Sequence, residues 1–299
     1  MIANWNVLTA CAVLATTTPG IAAPTKLAFE KSDAVWVANI DGSGAKKIAN
    51  GQSPALSPDG TRLAFNTVQA VGQPAHRKIA VADLATQQVK VFDEVPSDNC
   101  LQATWSHDGQ RLLFYAYVEN EMRIAVMNAD GSDFKFIPKT GGEHQNYWSA
   151  TWAHDGQSFF GQDMENLYQL SLDGSVMKKW PIEQLVPHGG MSGNVRLNIS
   201  PDGKTLLLDV EMDEKERKGW DGPPPAIWTI DLQSEKATRQ TPETLYAWDS
   251  NWCGEECVVF ASQTAGEKNP SIYRMSLGSN GKDKKLLVKN ATLPSTAPR

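Results

Sequence analysis

The sequence has little that would suit a nucleic-acid-binding protein or a membrane protein. Its 299 residues carry 28 Lys and Arg against 34 Asp and Glu, which gives a formal net charge of −6. A negative surface repels phosphate backbones, so we expect no general nucleic-acid binding. Beyond the N-terminus no apolar stretch approaches the length of a transmembrane helix. We therefore predict a soluble mature chain without a transmembrane segment.

Complete catalytic motifs are also missing. Residues 190–194 read Gly-Met-Ser-Gly-Asn and resemble a nucleophile elbow, but the last Gly is absent and no α/β pattern surrounds them. Neither a Gly-rich phosphate loop nor a His-Glu-x-x-His zinc motif occurs in the sequence. We therefore expect no catalytic residue and no cofactor, and a binding role is favoured over an enzymatic one.

The N-terminus has the pattern of a secretory signal peptide. Val7 to Ala15 form a short apolar run, and small residues at Gly20 and Ala22 suit a signal peptidase. The run is too short to span a bilayer as a helix. We predict a signal peptide over 1–22 and a single mature domain over 23–299, exported to the periplasm or secreted. An apolar tail without a targeting role is the alternative.

Lipid anchoring is a second alternative for the N-terminus. Residues 8–11 read Leu-Thr-Ala-Cys and resemble a lipoprotein processing box, with Cys11 as the acylated residue. Few residues precede this box and none of them is basic, so plain cleavage of the signal peptide is favoured.

Cysteine is scarce, with four in the whole chain. Cys253 and Cys257 flank a Gly-Glu-Glu sequence at a predicted hairpin turn, where an oxidising compartment would allow them to form a disulfide. Cys100 is expected to remain a lone thiol.

What the chain does contain is an internal repeat. Four turn sequences end in Asp-Gly, and each is preceded by an apolar anchor residue and followed by a β-rich run. Asp bonds back to the turn backbone, and Gly takes the left-handed position. The turns are 57–60, 106–109, 153–156 and 200–203, and their anchors, Leu56, Trp105, Trp152 and Ile199, are 49, 47 and 47 residues apart.

A second signal recurs in phase with the first. Asp-Gly-Ser closes an apolar strand at 41–43, 130–132 and 173–175, which is a strong hairpin signal. Two hairpins per repeat give four antiparallel strands, the content of one propeller blade. A fifth anchor, Trp252, follows after a longer spacing, which an insertion at Glu211–Ala226 explains. We predict that this insertion is a protruding loop.

The two chain ends together complete one blade. Residues 26–48 supply three strands, and the tail sequence Ala-Thr-Leu at 291–293 matches Ala-Thr-Trp at 103–105. We therefore predict an all-β fold: a six-bladed β-propeller of four-stranded antiparallel blades. The C-terminal tail would supply the inner strand of blade one, with Leu293 as its anchor and Thr292 facing the channel. A frayed terminus is the alternative.

These repeats resemble those of the TolB-type, WD40-like propeller family. A blade of that family reads apolar residue, Ser-Pro-Asp-Gly, β run, then an apolar strand ending in Asp-Gly, and the similarity covers residues 26–293. The resemblance implies a rigid propeller, and we expect no counterpart of the additional N-terminal α/β domain of TolB. The envelope role of TolB does not transfer on the fold alone.

The strand order predicts two different faces. The turns after the first and third strands of each blade lie on one side, the turn face, and the long loops lie on the other, the loop face. His107 and His154 lie in the turns, where we interpret them as solvated residues in positions that Pro holds elsewhere. Function is expected among the long loops, which a rigid scaffold positions.

Strand alternation also predicts which residues meet at the channel and its mouth. The channel wall would be small and mostly polar: Ala55, Thr104, Thr151, Asn198, Asn251 and Thr292. Aromatic side chains at the mouth could stack on sugar rings or form a protein-binding hot spot, or they could only pack the loops together. The predicted ligand-binding residues are Gln102, His144, Asn146, Tyr147, Trp148, His188, Arg196, Tyr246, Trp248 and Asp249, with Arg196 and Asp249 able to pair.

Two functions follow from this interpretation. The favoured one is a monomeric, periplasmic, non-catalytic binding module that engages an envelope protein, a peptide or a glycan on the loop face. The alternative is a metal-dependent carbohydrate-active enzyme resembling oligogalacturonide lyases, whose His-rich loops hold a divalent metal. In that case His144 and His188, with Asp249 or Glu143, would be the metal ligands.

Overall fold

The computed structural model describes residues 25–68, 76–139, 146–215, 218, 220–264 and 266–297. The predicted signal peptide and Cys11 lie outside these residues. The described chain forms six antiparallel sheets of short strands and one short helix. The predicted all-β, six-bladed propeller is confirmed.

Blades one to three use the first part of the chain. Their strands are β1 (Lys26–Lys31), β2 (Ala34–Asn39) and β3 (Lys46–Asn50) in blade one; β4 (Gln52–Leu56), β5 (Arg62–Asn66), β6 (Ile79–Asp83) and β7 (Val89–Val91) in blade two; and β8 (Cys100–Trp105), β9 (Arg111–Val118), β10 (Glu121–Asn128) and β11 (Lys135–Phe136) in blade three.

Blades four to six follow, and the last strand returns to blade one. The elements are β12 (Trp148–Trp152), β13 (Ser158–Gln162), β14 (Asn166–Ser171), β15 (Val176–Pro181) and α1 (Ile182–Leu185); β16 (Gly189–Gly190), β17 (Leu197–Ile199), β18 (Thr205–Met212), β19 (Pro225–Asp231) and β20 (Ala237–Arg239); and β21 (Ala247–Trp252), β22 (Cys257–Ser262), β23 (Ser271–Ser276), β24 (Lys285–Val288) and β25 (Thr292–Thr296).

The C-terminal strand closes the ring. Blade one has the strand order β25-β1-β2-β3, and β25 runs antiparallel to β1. Because the first and last strands of the chain share one sheet, the ring is held shut by backbone hydrogen bonds. The predicted closure is confirmed.

The register of the closing strand differs from the predicted one by three residues. Ser295 pairs with Ala28 as Ala55 pairs with Ala64 in blade two, so Ser295 lines the channel and the predicted Thr292 does not. Thr296 therefore holds the anchor position predicted for Leu293. The predicted register was wrong because it rested on matching the residue types at 291–293 to those at 103–105. It did not account for a bulge that five of the six inner strands contain.

This bulge is a repeated feature of the inner strands. Five of them carry a non-glycine residue with φ between +51° and +62° at the same place: Ser53, Gln102, Ser149, Asp249 and Leu293. A left-handed backbone is costly for such residues, so the surroundings must stabilise it. The sixth inner strand, in blade five, is instead interrupted between β16 and β17.

Hydrogen bonds between blades stabilise the bulges. A side chain at the end of the second strand of one blade accepts a hydrogen bond from a bulge amide of the next blade. The Glu30 carboxylate accepts from Ser53 N at 3.0 Å, and the Asn66 carbonyl oxygen accepts from Gln102 N at 3.0 Å. The Tyr115 hydroxyl accepts from Ala150 N in the same way. We call these contacts the bulge latches.

The anchor residues form a second set of contacts between blades. The indole N–H of Trp105 donates to Ala55 O at 2.9 Å, and that of Trp152 donates to Thr104 O at 3.3 Å. The Arg62 guanidinium lies 4.6 Å from the Trp105 ring centroid and donates to Gly109 O at 2.7 Å. As predicted, the tryptophan anchors pack between blades.

Two local predictions have clear outcomes. Cys253 and Cys257 form the predicted disulfide across the turn of blade six, with Cα atoms 4.9 Å apart, and Cys100 is a buried free thiol. The insertion is shorter than predicted, because Glu211 pairs with Pro225 and Val210 with Ala226. Its ends are therefore part of the β18–β19 hairpin rather than a loop.

Truncation tests the closing strand. A chain ending at Asn290 loses β25, including the buried residues Ser295 and Thr296, and leaves the inner edge of β1 unpaired. We expect the melting temperature to fall by roughly 10 °C or more, since several buried hydrogen bonds are lost. Thermal unfolding followed by circular dichroism measures this. Deleting only residues 298–299 is the control, and equal melting of the long truncation and the full chain would refute the closure.

Candidate functional site

A channel runs through the centre of the ring and is lined by the inner strands. Its wall contains the predicted Ala55, Thr104, Thr151, Asn198 and Asn251, with Ser295 completing the set. These side chains are small, and most offer a hydroxyl or an amide. The wall can therefore hydrogen-bond to water or to a ligand without offering a charge.

Arg196 supplies the charge at the loop-face end of this channel. Among the described residues that line the channel, it is the one Lys, Arg, Asp or Glu. It ends the segment 191–196, which leaves the sheet between β16 and β17. Buried Met191 and Val195 fix this segment from below, and the Gln162 amide donates to Ser192 O at 2.9 Å. Gln102 lines the same end of the channel, as predicted.

Buried carboxyl groups lie behind the channel mouth. Asp209, on β18, accepts hydrogen bonds from Asp249 N at 2.7 Å and from Ser250 N and Oγ at 3.2 and 2.6 Å. Burial, and then the charge of Asp249, raises the pKa of Asp209 to about 7. These bonds are the bulge latch between blades five and six.

Asp249 continues this contact to the closing strand. Its carboxylate accepts a hydrogen bond from Leu293 N at 3.3 Å. Burial raises the pKa of Asp249, although the positive charge of Arg196 opposes the shift. Burial likewise raises the pKa of Glu30, with Ser53 N and Arg196 opposing it. Three carboxyl groups thus hold the seam between blades five, six, one and two.

The predicted pairing of Arg196 with Asp249 is not a contact ion pair. Within the described part of the chain, the ion pairs with N–O distances up to 4.0 Å do not include these two residues. Asp249 is buried, whereas Arg196 is half-exposed. The guanidinium therefore acts on Asp249 through space, and Arg196 lines the channel.

The predicted aromatic residues separate into two groups. Tyr147 packs on Tyr168 with ring centroids 4.9 Å apart. Trp148 lies against Gly193, where an added Cβ would be 3.7 Å from the indole, so it borders the segment that carries Arg196. Trp148 is half-exposed. Trp148 and Arg196 are thus both partly exposed and belong to neighbouring stretches of the mouth.

The second group lies on the blade-six side. Trp220, from the insertion, packs on Tyr246 and Trp248 with centroid distances of 5.0 and 5.7 Å. Tyr246 is buried, whereas Trp220 and Trp248 are half-exposed. Tyr246 therefore holds the insertion against the propeller, and the two indoles contribute surface.

The remaining predicted residues lie apart from these groups. The Asn146 side-chain oxygen Oδ1 accepts a hydrogen bond from Lys139 Nζ at 3.3 Å. His188 is exposed, with φ at +63°, and its carbonyl accepts from Asp213 N at 2.8 Å. His144 and Glu143 lie outside the described residues. No group of three or more His, Cys, Asp and Glu side chains among the residues with assigned positions could hold a metal ion.

Three residues near the channel mouth were not predicted from the sequence: Glu30, Asp209 and Trp220. Asp209 left a signal, because a carboxylate directly after the run Leu206–Leu208 interrupts an apolar strand, and buried charges are rare unless they have partners. Glu30 and Trp220 left none, since their roles depend on contacts with neighbouring blades.

Comparison with known proteins identifies the fold. No protein-family profile matches the chain, and no curated protein sequence matches it. Solved structures do. TolB from Acinetobacter baumannii is 20% identical with a TM-score of 0.68, over 94% of this chain and 69% of that one. A putative TolB from Agrobacterium tumefaciens is 17% identical with a TM-score of 0.59, over 89% of each chain.

A propeller from a nidogen/laminin complex is also similar, at 11% identity and a TM-score of 0.65 over 91% of this chain and 98% of that one. At these identities the similarity establishes the fold and not the activity. The protein thus has a six-bladed propeller fold that is similar to these TolB structures. No helix among the positions described is both long and apolar enough to cross a membrane.

The buried latch predicts a pH dependence of stability. Asp209 has a pKa of about 7 in the folded chain against an ordinary 3.8, so the folded state binds the proton more tightly than the unfolded state does. The stability contributed by this group therefore falls as pH rises between about 4 and 7. Asp209→Asn should flatten the pH dependence of the unfolding free energy across this window.

Urea unfolding at pH 5 and at pH 7.5 measures the difference. Asp93→Asn, at an exposed position, is the matched control. The raised pKa of Asp209 would be contradicted if the unfolding free energy of Asp209→Asn changed between the two pH values by as much as that of the wild type.

Proposed function

We propose that this chain is an exported, non-catalytic propeller that binds a polypeptide partner at the loop-face mouth of its channel. The observation that carries the proposal is that Arg196 lines a neutral, hydrogen-bonding channel, while Trp148 borders the segment 191–196 that carries it. Arg and Trp are the residue types most enriched among the energetic centres of protein interfaces.

The geometry supports binding rather than catalysis. The carboxyl groups nearest the mouth, Glu30, Asp209 and Asp249, each accept a hydrogen bond from a backbone amide of the next blade. They support the ring and are not presented as a general acid or base. Arg196 lines the channel, and its guanidinium offers several donors in a planar fork, which suits a carboxylate or a peptide carbonyl.

The neighbours in structure support a polypeptide as the partner. The nidogen propeller occurs in a complex with laminin, so a six-bladed ring of this shape can present a protein-binding surface. Export rests on the signal-peptide pattern at 1–22. The proposed location, the periplasm or the cell exterior, also suits the disulfide between Cys253 and Cys257.

Site-specific crosslinking tests the proposal. A photoreactive residue in place of Trp148 should crosslink one protein from an envelope extract, and a photoreactive residue in place of Met177 should not. Met177 lies on the outer edge strand of blade four and is 57% exposed, which makes it a matched surface control. Arg196→Ala should then weaken the affinity for that protein about tenfold or more, as for a typical interface centre.

The same protein captured equally from both positions would contradict the proposed face. No effect of Arg196→Ala on the measured affinity would remove Arg196 from the site.

A further inference from the structure

A pair of histidines on the turn face has no role in the function proposed above. The second residues of four consecutive repeat turns are Pro58, His107, His154 and Pro201. Proline presets the backbone of such a turn, and histidine does not. The turns of two neighbouring blades thus lack the proline that would favour their conformation. A departure from local rules of this kind is typical of a functional position.

The fold brings the two side chains into contact. His107 and His154 are 47 residues apart in the sequence, yet their ring centroids are 4.0 Å apart with the planes inclined by 44°. Both residues are exposed. His107 also lines the turn-face end of the channel, together with Pro58 and Pro201.

Blade five restricts the position of His154. A Cβ added to Gly203 would lie 2.5 Å from the His154 Cβ, so the turn of blade five packs directly on the base of this side chain. Only glycine leaves that space, and Gly203 has φ at +76°. One imidazole is therefore held in place, and the second lies against it.

The nearest carboxylate takes part in the turn of blade three. Asp108 Oδ1 accepts hydrogen bonds from Ser106 Oγ at 2.5 Å and from Gln110 N at 2.9 Å.

We propose that His107 and His154 form a binding site for a divalent transition metal ion at the turn-face end of the channel. Imidazole nitrogens suit Zn²⁺, Ni²⁺ and Cu²⁺. Metal–nitrogen bonds of about 2.0–2.1 Å require two imidazoles that lie close together, as these two do. The remaining coordination positions are open to water or to a donor group of a partner.

The proposed ligands favour a transition metal ion over a hard cation. Ca²⁺ and Mg²⁺ prefer oxygen ligands, and the carboxylates of Asp108 and Asp155 accept hydrogen bonds within their own turns. The proposed metal site is on the face opposite Arg196, so it is independent of the proposed polypeptide site.

The chain offers variants that should preserve the turn. His107→Pro and His154→Pro each introduce the residue that Pro58 and Pro201 provide in the equivalent turns. Within the described backbone, neither His107 N nor His154 N donates a hydrogen bond to another main-chain group, so proline removes no such bond. We expect both variants to melt at or above the wild-type temperature. His107→Gln and His154→Gln are the second pair, which keeps a polar side chain.

Isothermal titration of the metal-free chain with Zn²⁺ and with Cu²⁺ tests the site. The wild type and the control His76→Ala, a half-exposed histidine outside the repeat turns, should bind one equivalent. The proline and glutamine variants should bind at least tenfold more weakly, and excess Mg²⁺ should not compete. The proposal is overturned if the wild type shows no saturable binding, if folded proline variants bind as the wild type does, or if His76→Ala alone abolishes binding.

Discussion

The structure depends on the hydrogen bond between a side chain at the end of one blade's second strand and a bulge amide of the next blade's inner strand. Neighbouring propeller blades share no continuous sheet, so such contacts, together with side-chain packing, must fix each blade against the next. Asp209 makes the strongest of them, with three donors from blade six. Each latch also holds a left-handed residue that is unfavourable on its own. The hydrogen bond that offsets the unfavourable backbone conformation of the bulge therefore also aligns the two blades.

The same contacts determine which groups remain available at the channel mouth. Glu30 and Asp249 accept hydrogen bonds that hold the ring, and Arg196 lines the channel at the end of a segment that leaves the sheet of blade five. On the turn face the blades are connected by other contacts: arginine side chains lie on tryptophan rings and donate hydrogen bonds to glycine carbonyls. Two histidines of neighbouring blades are in contact on the same face. One scaffold thus presents a cationic, aromatic mouth on one face and an imidazole pair on the other.

The repeat made most of the fold predictable. Turn residues, anchors and Asp-Gly hairpins report local conformation, and from them the number of blades, the closing strand and the disulfide at Cys253 and Cys257 followed correctly. The register of β25 did not follow, because the bulge at Leu293 has no residue signature: Ser, Gln, Asp and Leu all occupy it. Of the predicted mouth, Gln102 and Arg196 line the channel, since alternation along a strand places them there. The roles of Asp209, Trp220 and the histidine pair depend on contacts between blades, which the sequence alone does not encode locally.

Native-state hydrogen exchange at the latched amides tests the account most directly. If the bulge latches make the ring one cooperative unit, Ser53 N, Gln102 N, Asp249 N and Leu293 N should exchange with the same opening free energy, equal to that of global unfolding. Rapid exchange at Asp249 and Leu293, with Ser53 and Gln102 protected, would show that the ring opens locally at the closing seam, and would contradict it.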